Sequence, residues 1–103
     1  MSKVSIVAKL TAAEGKHEEL EAALASLIEA ANSEAGLEVY AVSADTKDPD
    51  TYWFFELYTD AAALEVHGKG DEMKAAMGAL GGLLGGRPEV HVARPVAAKG
   101  LDL

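Results

Sequence analysis

Thr51-Tyr-Trp-Phe-Phe-Glu-Leu-Tyr58 is the most strand-like run of the chain, dense in aromatic residues. Aromatic and β-branched side chains suit a pleated, half-buried surface, so the run reads as a β-strand. Alternation with period two puts Tyr52, Phe54, Glu56 and Tyr58 on one face and Trp53, Phe55 and Leu57 on the other. Both faces are therefore apolar or aromatic, apart from Glu56. A strand buried on both sides needs a covering layer on each. Helices of the same chain can supply one layer and a second copy of the chain the other, with Trp53 on the side of that second copy.

Upstream, Asp45 to Asp50 is turn chemistry built around Asp48-Pro49-Asp50, and Leu37 to Ala44 is a second strand, so the two strands form an antiparallel hairpin. Gly36 fits a helix stop or turn. Before it, Lys16 to Asn32 carries Leu20, Leu24, Leu27, Ile28 and Ala31 at helical spacing, with glutamates away from that stripe. Val4 to Leu10 reads as a first strand. Downstream, Asp60 is an N-cap for a short helix over Ala61–Val66, and Gly68 and Gly70 interrupt it. A further helix opens near Asp71 and puts Met73, Met77 and Leu80 on one face. Pro88 to Val96 is the last strand.

The order β-α-β-β-α-β, with the second helical region broken in two, predicts an α+β, ferredoxin-like split βαβ fold with a four-stranded antiparallel sheet. The length of 103 residues fits one domain, with a core over about 3–97 and a tail at 98–103.

Composition narrows the functional classes. Net charge is −8, with nine basic residues scattered among seventeen acids, which disfavours nucleic acid and anionic membrane surfaces as partners. There are no cysteines, so disulfides, thiolate metal ligands and thiol catalysis are excluded. The three histidines show neither H-x-H nor H-E-x-x-H spacing, and no metal is expected. No signal-peptide layout or membrane-length apolar run is present, so a cytoplasmic protein is expected. The glycines at 78, 81, 82, 85 and 86 do not make a phosphate loop, because neither the Lys-Ser/Thr ending nor a strand-to-helix passage accompanies them. A pocket lid or a fraying helix end accounts for them better.

The residues able to do chemistry cluster around the quoted strand. Glu56 interrupts an apolar face, and a buried carboxylate needs a partner. His67 falls three residues after Leu64 and shares its inward side. Histidine titrates near neutrality and accepts a proton from a phenol or an acidic C–H. A Glu56–His67 hydrogen bond would serve catalysis or anchor the helix to the sheet. Tyr40, Tyr52 and Tyr58, with Phe54, can stack on an aromatic ring or bond its oxygen, and as strand aromatics they also serve as plain core. Met73 and Met77 offer an adaptable apolar wall, or core packing alone. His17, and His91 with Arg87 and Arg94 beside it, read as surface groups.

Gly36-Leu37-x-x-Tyr40, Asp48-Pro49-Asp50, Phe54-Phe55-Glu56-Leu57-Tyr58 and Ala63-Leu64-x-x-His67 together resemble the antibiotic-biosynthesis monooxygenase family. The opening Val7-Ala8-Lys9-Leu10 and the closing Pro88-Glu89-Val90 fit the same layout. The resemblance implies a dimeric α+β barrel with a pocket between sheet and helices in each subunit. It also implies a cofactor-free oxidation of a quinol- or anthrone-like aromatic by dioxygen, with no metal or flavin. It gives His67 a pocket role. On these residues the mechanism expected has His67 as proton acceptor or anion orienter, Glu56 as its partner, and Tyr52 and Tyr58 as substrate contacts. Two departures stand out: Tyr58 occupies a position where relatives acting on aromatic polyketides often carry tryptophan, and Ile6 stands where haem-degrading relatives use asparagine. Proton-shuttling isomerisation and non-catalytic binding of a small aromatic are the rival readings on this scaffold.

Overall fold

The computed structural model describes residues 2–103, Met1 lying outside the described part. Its elements are β1 (Val4–Thr11), α1 (His17–Ala30), β2 (Leu37–Ala44), β3 (Thr51–Tyr58), α2 (Ala61–Val66), α3 (Asp71–Gly78) and β4 (Glu89–Ala93). The four strands form one antiparallel sheet in the order β2-β3-β1-β4, the ferredoxin-like arrangement that the element order predicts.

The apolar stripe of α1 lies on one face of this sheet. Leu20, Leu24 and Leu27 are buried against Ile6, Ala8 and Leu10 of β1 and Phe54 of β3. Burying such side chains is worth about 1.5–3 kcal/mol each, and this drives the helix onto the sheet. Glu18 and Glu19 sit in the first turn of α1, where they complement the helix dipole. The helix gives way to a 3-10 turn at Ala31–Ser33, two residues short of the expected α-helical end at Asn32. Beyond the turn, Gly36 packs so closely on α2 that a Cβ there would lie 2.5 Å from the Ala63 Cβ. Glycine is needed here for close approach.

Two expectations change at the C-terminal side. The last strand is Glu89–Ala93 rather than Pro88–Val96, because Pro88 and Pro95 have no N–H to give a ladder. The glycine-rich segment is not a frayed helix end. It folds back as successive turns and docks on the end of β1 through Ala13 N–H to the Leu83 carbonyl (2.8 Å) and Gly85 N–H to the Thr11 carbonyl (2.7 Å). A Cβ at Gly85 would meet the Ala12 carbonyl oxygen at 2.8 Å, so backbone lies on backbone.

The other sheet face is covered at one end only. Near Leu57, which is buried, Lys3 and Thr59 both donate to Glu38, and Lys3 also donates to the Asp102 carbonyl, bringing the chain end back against the sheet. At the opposite end Val7 and Trp53 stay 43% and 41% exposed. No helix among the described residues is long and apolar enough to cross a membrane.

Candidate active site

Register places the candidate side chains. Tyr40 on β2, Glu56 on β3 and Ile6 on β1 are direct cross-strand neighbours, and Val42, Phe54 and Ala8 form the next row. All six point to the helical side. Below them lies a cavity of about 320 Å³, whose polar end is formed by Tyr40, Glu56 and His67. Phe54, Leu27 and Leu80 supply apolar wall, and the partly exposed Met77 and Val90 mark the mouth between α3 and β4. No lysine or arginine lines it among the described residues.

His67 is the residue that ends α2. Asp60 starts that helix by accepting the Ala63 N–H at 2.9 Å, and His67 closes it by donating its own N–H to the Leu64 carbonyl. The imidazole Nδ1 lies 2.7 Å from Glu34 Oε1, and its ring stands edge-on to the rings of Tyr40 and Tyr58, each 5.5 Å away between centroids. Nε2 is left without a hydrogen-bond partner among the described residues, on a side chain that lines the cavity.

Glu56 takes a different partner from the one expected. Its Oε1 accepts the Tyr58 hydroxyl at 2.6 Å, so the Glu56–His67 hydrogen bond is not formed. Tyr58 lies two residues further along the same strand face and reaches the carboxyl without any loop closure, while His67 is engaged by Glu34. Burial pushes the Glu56 carboxyl up from its ordinary range, and the Tyr58 bond and the nearby His67 only partly oppose this. Burial likewise raises the Tyr58 phenol, reinforced by Glu56, and raises the Tyr40 phenol, reinforced by Glu56 and Glu34. Both tyrosines therefore stay protonated at neutral pH and act as donors or packing surface rather than bases.

The expected substrate contacts divide. Tyr40, Phe54 and Met77 line the cavity with Glu56 and His67. Tyr58 stands behind the imidazole, outside the lining. Tyr52 is displaced to the far end of β3, where its hydroxyl donates to Glu21 Oε2 at 2.7 Å, beside a smaller cavity of about 180 Å³. Burial and Glu21 push its phenol up to about 12. Met73 is fully buried in the core beneath α3 and does not reach the cavity. Glu34, in the loop between the 3-10 turn and β2, has no periodic signal to single it out among seventeen acids. Its only cue is adjacency to Gly36, where the chain closes on α2. Among the described residues, no group of three or more acidic or histidine side chains is placed to hold a metal ion.

A split βαβ sheet with an apolar pocket on its helical side, ending in a histidine and a buried carboxyl, defines a class of small α+β pocket proteins. Residues 3–79 match the family model described as antibiotic biosynthesis monooxygenase, and the chain belongs to that family. A solved structure from Caulobacter crescentus CB15, described as a candidate antibiotic biosynthesis monooxygenase, is 29% identical with a TM-score of 0.86, covering 93% of this chain and 92% of that one. A candidate of the same description from Chloroflexus aurantiacus J-10-fl is 27% identical with a TM-score of 0.85, covering 98% and 100%. A Shewanella oneidensis protein is 31% identical with a TM-score of 0.82, covering 94% of each chain. Comparison with curated proteins finds no match.

Proposed function

We propose that the chain, as a homodimer, is a cofactor-independent monooxygenase that oxidises a quinol- or anthrone-like aromatic with dioxygen. The observation that carries this reading is the composition of the cavity: apolar and aromatic walls, with the buried Glu56 carboxyl and the His67 imidazole, its Nε2 without a partner among the described residues, lining the same space.

Triplet dioxygen reacts slowly with closed-shell molecules unless a single electron is supplied. An electron-rich phenol supplies it once deprotonated, so the substrate itself is the reductant, one oxygen atom staying on the ring and the other leaving as water. The protein then has three tasks. His67 Nε2 takes the phenolic proton. Tyr40, whose phenol stays protonated and which lines the same cavity, donates to the resulting oxyanion. Phe54, Leu80 and Met77 flank the ring and hold water away, which strengthens these interactions.

Oxygen uptake by the purified protein, measured with an electrode over a panel of quinols and anthrones, tests the proposal. Uptake matched to substrate loss is the expected outcome. Turnover without oxygen uptake would mean that the same pocket runs a proton-shuttling isomerisation, and binding without turnover would mean a small-molecule-binding protein.

A further inference from the structure

We infer that Glu34 is the positioning residue of this site: its carboxylate accepts the Nδ1 proton of His67 and thereby fixes the tautomer whose bare Nε2 serves the cavity. The inference rests on the reading of His67 as proton acceptor and names the group that makes it one.

Three observations carry it. The Nδ1–Oε1 distance is 2.7 Å, and both side chains are nearly buried, at 13% and 12% exposure, so water competes little for the bond. An ionised carboxylate only accepts, so the proton between the two groups belongs to Nδ1 and the neutral ring keeps its lone pair at Nε2. Tyr40 and Tyr58 both pack edge-on against the imidazole, at 71° and 69° and 5.5 Å between centroids, which leaves the ring little room to turn over. Further, the second oxygen, Glu34 Oε2, is buried with no hydrogen-bond partner among the described residues. A carboxyl kept only to tie the loop to α2 would be better placed with both oxygens bonded, and an unmatched buried oxygen is costly. That cost is understandable where the charge faces an imidazole that becomes cationic on taking a proton, the arrangement by which a buried acid supports a catalytic histidine.

The test has one readout that needs no substrate. Nitrogen-15 NMR of the histidine side chains, at a pH well above the ordinary histidine range, reports which ring nitrogen of His67 is protonated. The wild type is expected to show protonated Nδ1 and bare Nε2. Glu34→Leu is expected to shift His67 toward protonated Nε2 and to lower kcat roughly 10- to 100-fold with KM little changed, less than loss of the base itself. Glu34→Gln keeps an acceptor for Nδ1 but no charge, and is expected to retain the tautomer while recovering only part of kcat. Protonated Nε2 in the wild type overturns the inference, even if Glu34→Leu fails to fold. So does a folded Glu34→Leu with unchanged tautomer and kcat. A wild type with bare Nε2 that consumes no oxygen on any aromatic supports the role of Glu34 and overturns the oxygenase reading instead.

Discussion

Glu56 shares a buried sheet face with Tyr40 and Phe54 and, among the described residues, has a single hydrogen-bond donor, Tyr58, at 2.6 Å. Because burial raises its carboxyl above the ordinary value of 4.5, the folded state holds this proton more tightly than the unfolded chain does. The stabilisation given by the neutral carboxyl is complete below about 4.5 and is lost as pH rises through the raised folded-state value. Glutamine has the same shape, accepts the Tyr58 bond and never ionises. Glu56→Gln should therefore gain stability relative to wild type as pH rises from 4 to 8, read as the difference in denaturation midpoints. A difference that stays flat over that range would mean that burial does not raise the Glu56 carboxyl. Since the background titration of the chain is common to both proteins, the comparison isolates this one group.

Helix α2 is six residues long and holds His67 at its end, so its seating on the sheet decides where the imidazole lies. That seating depends on Gly36. Gly36→Ala would bring two methyl groups to 2.5 Å, and α2 must move to relieve the clash. The variant should lose about 1–3 kcal/mol of stability, the usual range for overpacking, and more activity than that loss explains. Adding Ala63→Gly should restore part of both, and independent effects of the two changes would show that the contact is not the cause. The elements themselves were legible from sequence because periodicity reports burial directly: the leucine stripe of α1, the aromatic β3 and the Asp60 cap all occupy their expected places. Glu34 was not legible. Its partner is 33 residues away and the two meet only once α2 folds over the start of β2. Tyr52 was misplaced for a related reason. Alternation assigns it the correct face, but only the register shows that it lies opposite Leu10, at the Glu21 end of the sheet. The docking of the glycine-rich turns on β1 is likewise a long-range backbone contact that composition does not encode.

At the scale of the whole molecule, the sheet face opposite the helices leaves Val7 and Trp53 substantially exposed beside Phe55. The Trp53 indole N–H donates to Asp45 at 3.0 Å and Lys9 lies 5.8 Å from its ring, so the side chain is already ordered in a single copy. Ordering before association lowers the entropy that binding must overcome, which suits this patch to the homodimer interface proposed above. Trp53→Lys should shift sedimentation from dimer toward monomer at micromolar concentration while leaving the core beneath α1 folded. A wild type that sediments as a monomer, or a Trp53→Lys variant that remains fully dimeric, would remove this face from consideration.

The proton transfer proposed to start oxidation in the cavity belongs to His67. Its most direct measurement is oxygen consumption by His67→Ala beside the wild type, on one substrate that the wild type turns over, with circular dichroism and sedimentation showing both proteins folded and in the same oligomeric state. Loss of one general base should lower turnover by roughly 10²- to 10⁴-fold. A folded His67→Ala protein that consumes oxygen at the wild-type rate would rule out this role, leaving His67 as an anchor between α2 and the loop that carries Glu34.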